Sequence, residues 1–518
     1  MQSSVSRRHF FWGALMAGAV PTGGFGSTPS LKAVRYKSPN ELLNIAAIGA
    51  GGRATANISG CASENIVAFA DPDDRSAVGT YNQHPKAATY KDFRKMLDKE
   101  GANIDAVIIS TPDHFHAVAA YWSMQLGKHV YCEKPLAHTI WEARFLAQAA
   151  QKYKVATQMG NQGYSYEGER IAAEIIWSGE IGDVKEVHCW TDRPIWAQGM
   201  DKLPAEEKVP AEFDWDVWLG PAAMRPYSPA YCPFNWRGWY DFGSGALGDI
   251  ACHVWGTANT ALLLGGSNCT VEVTRRTGKS PYAFPKSSVT EFSFPARGAL
   301  GPVKIIWTDG AAGPTYRPEG LPDGEPLVSG KGAFGADGVL FYGTGPATGG
   351  TGAGRSGTAA PSAAAAPARA ATPPASGGQG RSGSSPYGSS FEGRPINRPD
   401  GSGAIFVGTK GCLSADNYGG NIRLLPLARH QAYKLPPQVL TRSPGHYADW
   451  IRACKGGEPA FSNFSIAGPF SEIVQLGALA TRIEGKLEWA SAKMTFTNNE
   501  DANKYLKPFL RKGWELKV

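Results

Sequence analysis

A rhythm limits what this chain can fold into. Between residues 43 and 160, short apolar runs at 45–48, 66–70, 106–110, 129–132 and 156–159 alternate with helical patterns such as 140–152. Short strands recurring between helices read as βαβ units, and such units dictate a parallel sheet covered by helices on both faces. From residue 184 the texture changes to longer β-like stretches at 184–190, 288–294 and 303–307, which predict a second domain built on an open sheet. Amphipathic segments at 447–454 and 465–484 read as helices closing that second domain.

Composition narrows the partners. The 518 residues carry 52 Lys+Arg against 45 Asp+Glu, a formal charge of +7, without any basic block of the kind that grips nucleic acid. A small-molecule partner is expected, and no nucleic acid. Eight cysteines are scattered singly without a Cys-x-x-Cys pair, so no metal site is expected from them. In the stretch 343–390, 43 of 48 residues are Gly, Ala, Ser, Thr or Pro, too few apolar groups to offset the entropy of ordering. Residues 343–402 therefore read as a low-complexity, disordered insertion that splits the second domain into 161–342 and 403–518. Two similar strand-like phrases, 337–345 and 400–411, bracket it. At the other end, Ser6-Arg7-Arg8-His9-Phe10-Phe11-Trp12 precedes a weakly apolar run to Val20. Paired arginines before a short apolar core read as a twin-arginine export signal over 1–30, addressed to the Tat machinery and to a periplasmic or extracellular destination. The run is too short to span a bilayer, and no other segment reads as a membrane span.

The first strand runs into Gly49-Ala50-Gly51-Gly52-Arg53-Ala54, in the strand-to-helix position where a glycine loop admits a pyrophosphate to a helix N-terminus. Asp71 ends the next strand, 22 residues after Gly49, where a carboxylate meets ribose hydroxyls and repels a 2′-phosphate. Residues 41–160 are thus expected to be a Rossmann domain that takes NAD in preference to NADP, with Arg53 and Arg75 keeping NADP as a lesser option. Thr111-Pro112, at the end of another strand, belongs beyond the carboxyl edge of the sheet, and His114 and His116 are candidates to line the nicotinamide ribose.

Two more phrases carry chemistry. Glu133-Lys134-Pro135 closes a strand of the nucleotide domain, and a helix beginning near Ala246 would place Asp249 and His253 four residues apart on one face. A carboxylate and an imidazole that titrates near neutrality suit proton transfer during alcohol oxidation. With the glycine loop, Thr111-Pro112, residues 158–162, Tyr447-Ala-Asp-Trp-Ile451 and Gly485-Lys-Leu-Glu-Trp489, these phrases resemble the glucose-fructose oxidoreductase, inositol dehydrogenase and MocA (Gfo/Idh/MocA) family.

That resemblance implies an α/β fold: an N-terminal Rossmann domain and a C-terminal α/β domain with a large, open, mainly antiparallel sheet that floors the substrate cleft. It assigns Gly49, Gly51, Gly52, Arg53, Asp71, Thr111, Pro112, His114, Glu133 and Lys134 to the cofactor. Lys134 would orient the reacting hydroxyl, His253 would be the acid/base, and Asp249 would position substrate or tune His253. Many relatives carry an acid three residues after the histidine, where this chain has Gly256. Asn161, Trp236 and Arg237 are candidate substrate residues. Seven tryptophans fall between 190 and 255, with Tyr227, Tyr231 and Tyr240 among them. Flat rings suit the C–H faces of sugars, although about half of these tryptophans are expected in the core.

Export bears on the chemistry. Outside the cytoplasm free NAD(H) is scarce, so a tightly held cofactor should either shuttle hydride between two sugars or oxidise a glycoside transiently, so that the glycosidic bond is lost by elimination. An oxidoreductase acting on a sugar, polyol or glycoside leads. An NAD-dependent glycosidase is the alternative, and a non-catalytic sugar-binding protein the third reading. Homo-oligomerisation through the open sheet is expected by family analogy alone.

Overall fold

The computed structural model describes residues 40–311, 313–328 and 401–517. The signal segment 1–30, the phrase 337–345 and all but the last two residues of the 343–402 insertion lie outside the described residues. Six strands, β1 (Asn44–Ile48), β2 (Asn65–Ala70), β3 (Ala88–Tyr90), β4 (Ala106–Ile109), β5 (His129–Glu133) and β6 (Thr157–Gly160), form one sheet in the order β3-β2-β1-β4-β5-β6, every pair parallel. Strand β3 was not anticipated, because an exposed Thr89 between half-buried Ala88 and Tyr90 carries no apolar run. Strands β4 to β6 are buried on both faces, as a parallel sheet between helical layers must be.

Alternation along the strands separates two cores. Ala46, Ile48, Val107 and Ile109 face a large core that continues into the second domain. Ile45, Ala47, Ala106 and Ile108 face a smaller one. The smaller core is completed from far along the chain. Helix His446–Cys454 lays Trp450 and Cys454 on it, and Tyr447 donates to Asn57 Oδ1 at 2.8 Å. The segment read from the sequence as closing the second domain therefore seals the first.

The second sheet is mixed, in the order β13-β12-β11-β7-β10-β9-β8-β14-β15. Its strands are β7 (Val184–Thr191), β8 (Cys269–Thr277), β9 (Ser287–Phe294), β10 (Val303–Thr308), β11 (Ser402–Gly408), β12 (Gly411–Asp416), β13 (Ile422–Leu425), β14 (Leu487–Ala490) and β15 (Thr495–Phe496). Only β7 and β10 pair in parallel. Strand β11 supplies the neighbour of β7 from beyond the insertion.

Helix Phe464–Ala480 bolts the two domains together. It is apolar on nearly every side, as a helix buried all round should be. A Cβ at Gly468 would lie 2.7 Å from that of Ala147 on helix Ile140–Tyr153, so the two helices touch backbone to side chain. Beside this contact Arg144 Nε donates to Glu472 Oε2 at 2.8 Å, and Arg144 Nη1 to the Ser491 carbonyl at 2.7 Å. Glu472 is almost fully buried. Removing its partner strands a charge, which costs on the order of 3 kcal/mol. Arg144→Met should lower the thermal midpoint by several degrees, and adding Glu472→Met should recover most of the loss. An unchanged midpoint in the single variant would refute the bolt.

Candidate active site

The glycine loop is shaped by what cannot fit. A Cβ at Gly49 would sit 2.7 Å from the Ser110 carbonyl oxygen, and one at Gly51 would sit 2.6 Å from that of Ser76. Gly52 has φ +56° with nothing within 4 Å of its missing side chain, and it caps helix Arg53–Gly60. Open space before a helix N-terminus, where backbone N–H groups lack partners, is where a pyrophosphate is held. Asp71 stabilises this loop: its carboxylate accepts from the N–H of Ala50 at 2.8 Å and of Asp73 at 2.9 Å, and lone pairs remain for ribose hydroxyls. Burial pushes the Asp71 carboxyl up to about 6. Thr111 Oγ1 is buried with no hydrogen-bond partner beside the loop. These features fit a dinucleotide.

The loop opens into a cleft of about 770 Å³ at the β1/β4 junction, where the strand order reverses. Across it β5 meets helix Gly245–Val254 of the second domain. Lys134 Nζ donates to Asp249 Oδ1 at 2.8 Å and to the Asp249 carbonyl at 3.0 Å, which uses two of its three N–H bonds. Arg237 Nε donates to the same Oδ1 at 3.1 Å. Burial alone would push the Asp249 carboxyl up, but Lys134 and Arg237 outweigh it and hold it well below the usual range. Burial likewise works against the Lys134 ammonium, and Asp249 more than offsets it, so the amine stays charged.

His253, one turn further along the helix, is 5% exposed and lines the cleft. Burial first, and the Lys134 charge second, push its imidazole down to about 3. It is therefore neutral at physiological pH. Its ring lies 4.6 Å from that of Tyr418, and Nδ1 has no hydrogen-bond partner. Glu133 is held elsewhere. Arg53 Nε at 3.1 Å and Asn57 Nδ2 at 3.0 Å both donate to its Oε1. Burial raises it, but Arg53, Lys134 and Asn57 together keep it below its ordinary value.

The cleft thus gathers Gly49, Gly51, Gly52, Arg53, Asp71, Thr111, Pro112, Glu133, Lys134, Trp236, Arg237, Asp249 and His253. Three predicted residues, His114, His116 and Asn161, do not line it. His114 is turned into the aromatic cluster, its ring nitrogens 3.2 Å from the Trp218 carbonyl and 3.4 Å from that of Phe242. It occupies the buried first turn of helix Asp113–Gln125, so its side chain follows the helix into the core. His116 is buried likewise, between the carbonyls of Thr111 and Pro135. Asn161 is fully buried beside the cleft, with both amide atoms unpartnered.

Of the seven clustered tryptophans, Trp196, Trp218 and Trp236 line the cleft and the other four are core. The Arg237 guanidinium lies 4.2 Å from the Trp236 ring centre and 4.8 Å from that of Phe234. Three residues in or beside the cleft escaped the sequence reading. Asp113, buried near Asp249, is pushed up to about 7 by burial and by the Asp249 charge. Asn417 and Tyr418 come from a turn in which Asp416 accepts from the N–H of Tyr418 and Gly420. The run Asp416-Asn-Tyr-Gly-Gly-Asn421 signals a turn, but nothing in it points to a histidine far upstream.

Residues 43–161 match the Gfo/Idh/MocA model described as an oxidoreductase family with an NAD-binding Rossmann fold, and residues 181–273 match that family's C-terminal α/β domain. Both domains thus carry matches to the Gfo/Idh/MocA oxidoreductase family. Among curated relatives, glycosyl hydrolase family 109 protein 1 of Shewanella sp. MR-4 is 31% identical over 208 residues, covering 35% of this chain and 44% of that protein. Levoglucosan dehydrogenase of Pseudarthrobacter phenanthrenivorans is 30% identical over 164 residues, covering 32% and 34%. The chain thus spans less than half the length of the curated relatives it matches. The WlbA dehydrogenase of Bordetella pertussis, solved with NADH and UDP-GlcNAcA, shares the fold with TM-score 0.52 at 11% identity over 87% of this chain and 98% of that one.

The open space at Gly52 should be indispensable to the cofactor. Gly52→Glu combines a strained φ with a carboxylate facing the pyrophosphate, and should weaken NADH binding at least about 10-fold in a fluorescence titration. Unaltered affinity would place the nucleotide elsewhere. A second expectation concerns charge. The His253 pKa is lowered from an unfolded value near 6.5, so its contribution to stability is present above that value and is lost as pH falls towards about 3. ¹⁵N NMR of labelled histidines at about pH 5 should find the His253 ring neutral while exposed imidazoles are protonated. An imidazolium signal from His253 would contradict the desolvated site.

Proposed function

We propose that this chain oxidises a hydroxyl of a sugar, polyol or glycoside, using NAD held tightly in the cleft. The observation that carries the reading is the sharing of Asp249 between Lys134 and Arg237, with neutral His253 one helical turn away beside the dinucleotide loop. Bound NAD would supply the hydride acceptor. The protein's part is geometry and protons. Lys134 keeps one N–H for the oxygen of a reacting hydroxyl and stabilises negative charge there. His253 is the base that takes the hydroxyl proton. Asp249 holds Lys134 in place and keeps it charged. Trp196 and Trp236 offer flat faces to a pyranose, and Arg237 offers N–H groups to its oxygens. Asp71 favours NAD over NADP.

The paired arginines near the N-terminus support export by the twin-arginine route, which loads folded, cofactor-bearing proteins. A retained cofactor then has to be regenerated within one cycle, by a second sugar or by returning the hydride. The second course makes the net reaction hydrolysis of a glycoside. The names of the family 109 relatives favour it as the second reading, as that of the levoglucosan dehydrogenase favours the first.

Denaturing the purified protein should release NAD(H); protein that neither carries nor binds the nucleotide would defeat both readings. NADH formation from free sugars supports the oxidoreductase, and release of the aglycone from aryl glycosides without net NADH supports the glycosidase. Lys134→Ala and His253→Ala should each lower turnover by about 100-fold or more while leaving the nucleotide bound. Full activity in either variant removes its assigned role.

A further inference from the structure

One buried acid beside the cleft has no part in the chemistry above. Glu169 lies in helix Glu167–Ser178, is fully buried, and has no hydrogen-bond partner on either carboxyl oxygen. Its neighbour Arg170 fixes the register of this helix by donating to the carbonyls of Tyr164 at 2.7 Å and Thr441 at 2.7 Å, so the carboxyl is held where it is. Burying an unpartnered polar group costs free energy, so its persistence at a fixed place calls for an explanation.

The surroundings supply one. The carboxyl lies in a niche made by three glycines from three separate segments. A Cβ at Gly256 would meet Glu169 Oε1 at 2.1 Å, one at Gly163 would meet it at 2.9 Å, and one at Gly419 would meet Glu169 Cγ at 2.6 Å. No other residue type fits at Gly256 while the carboxyl is there. Gly256 stands three residues beyond His253 and opens the next helix, Gly256–Leu262, while Gly419 follows Tyr418, whose ring packs on His253. Glu169 is therefore wedged between the chain that follows His253 and the turn that carries the ring packed at a tilt against it. Position 256 is also where the family resemblance leads one to expect an acid.

We infer that Glu169 is a positioning residue for His253: a carboxyl supplied from a neighbouring helix, filling the place that Gly256 vacates and fixing His253 against Tyr418. Burial pushes the Glu169 carboxyl well above its usual range, with Arg170 opposing and Asp416 assisting, which favours its neutral form in the niche. A neutral acid adds no charge to compete with Asp249 for Lys134. Its contribution is shape, filling the space between Gly256 and Gly419.

The inference rests on the proposed function for its kinetic consequence, and its structural consequence can be read without any substrate. In the full chain labelled with ¹⁵N-histidine, the His253 ring signals are assigned by their loss in His253→Asn. Glu169→Gln, isosteric with the neutral acid, should leave them in place. Glu169→Ala should displace them, and Glu169→Ala with Gly256→Asp, which returns a carboxyl to the niche from the other side, should bring them back. If Glu169→Ala does not fold, Gly256→Ala serves, because its methyl must drive the carboxyl out and displace the same signals. Ring signals unmoved in folded Glu169→Ala, or in Gly256→Ala, overturn the inference. With an active substrate, Glu169→Ala should lower kcat about 10-fold or more with KM little changed, and the Gln variant should retain most of kcat. Absence of sugar chemistry in every form would defeat the proposed function, while the ring signals would still decide the role of Glu169.

Discussion

One carboxylate holds the two domains in working register. Asp249 accepts from Lys134 of the nucleotide domain and from Arg237 of the aromatic loop, and it sits on the helix that carries His253. Lys134 and Arg237 keep Asp249 ionised against the cost of burial, and burial, aided by the Lys134 charge, keeps His253 neutral. In a desolvated cleft such a cluster is rigid as well as polar, because breaking any one contact leaves a buried charge unpaired. The reacting geometry and the docking of the domains are thus the same set of bonds, reinforced by the buried helix 464–480 and by Trp450, which returns to seal the nucleotide domain from the opposite end of the chain.

Glycine does a second job throughout. At Gly49 and Gly51 the missing side chain lets the loop press against the Ser110 and Ser76 carbonyls, and so places open space at the helix N-terminus. At Gly163, Gly256 and Gly419 it lets three backbone segments converge on one carboxyl. Both cases exchange conformational entropy for close approach. The high glycine content of the chain is in these places a packing device.

What could be read in advance follows from how local each signal is. The parallel sheet, the glycine loop and the Asp249-His253 pair were legible because period, turn chemistry and a four-residue spacing are all written within a few residues. His114 was misplaced because neighbouring positions on a helix differ by about 100° in direction, so a motif that sets Pro112 at the cleft says little about where the second residue of the following helix points. Asn417, Tyr418 and Glu169 stayed hidden for a different reason. Each reaches the site only through the tertiary approach of segments far apart in sequence, and a turn or an amphipathic helix gives no sign of what it will be packed against. The late helix 446–454 illustrates the same limit at the scale of a domain, since amphipathicity shows that a face is buried and not which core receives it.

The outer face of the second sheet also divides in a way that bears on assembly. Over β7, β11 and β13 it is apolar, with Trp190, Ile405 and Leu425 buried beneath Leu327 and Val328, and His188 stacked at 4.0 Å on Tyr316. Those covering residues belong to the segment 313–328 that leads towards the insertion. Over β8 to β10 and β14 the same face is polar, with Lys304 paired to Glu291 and Lys486 to Glu272. A bare apolar sheet is the usual physical reason for a second copy to dock there. Here the chain covers the apolar half with its own residues and leaves out the charged half, where exposed ion pairs add little to association. The apolar half of this face is thus covered within the chain by residues of 313–328, which follow β10.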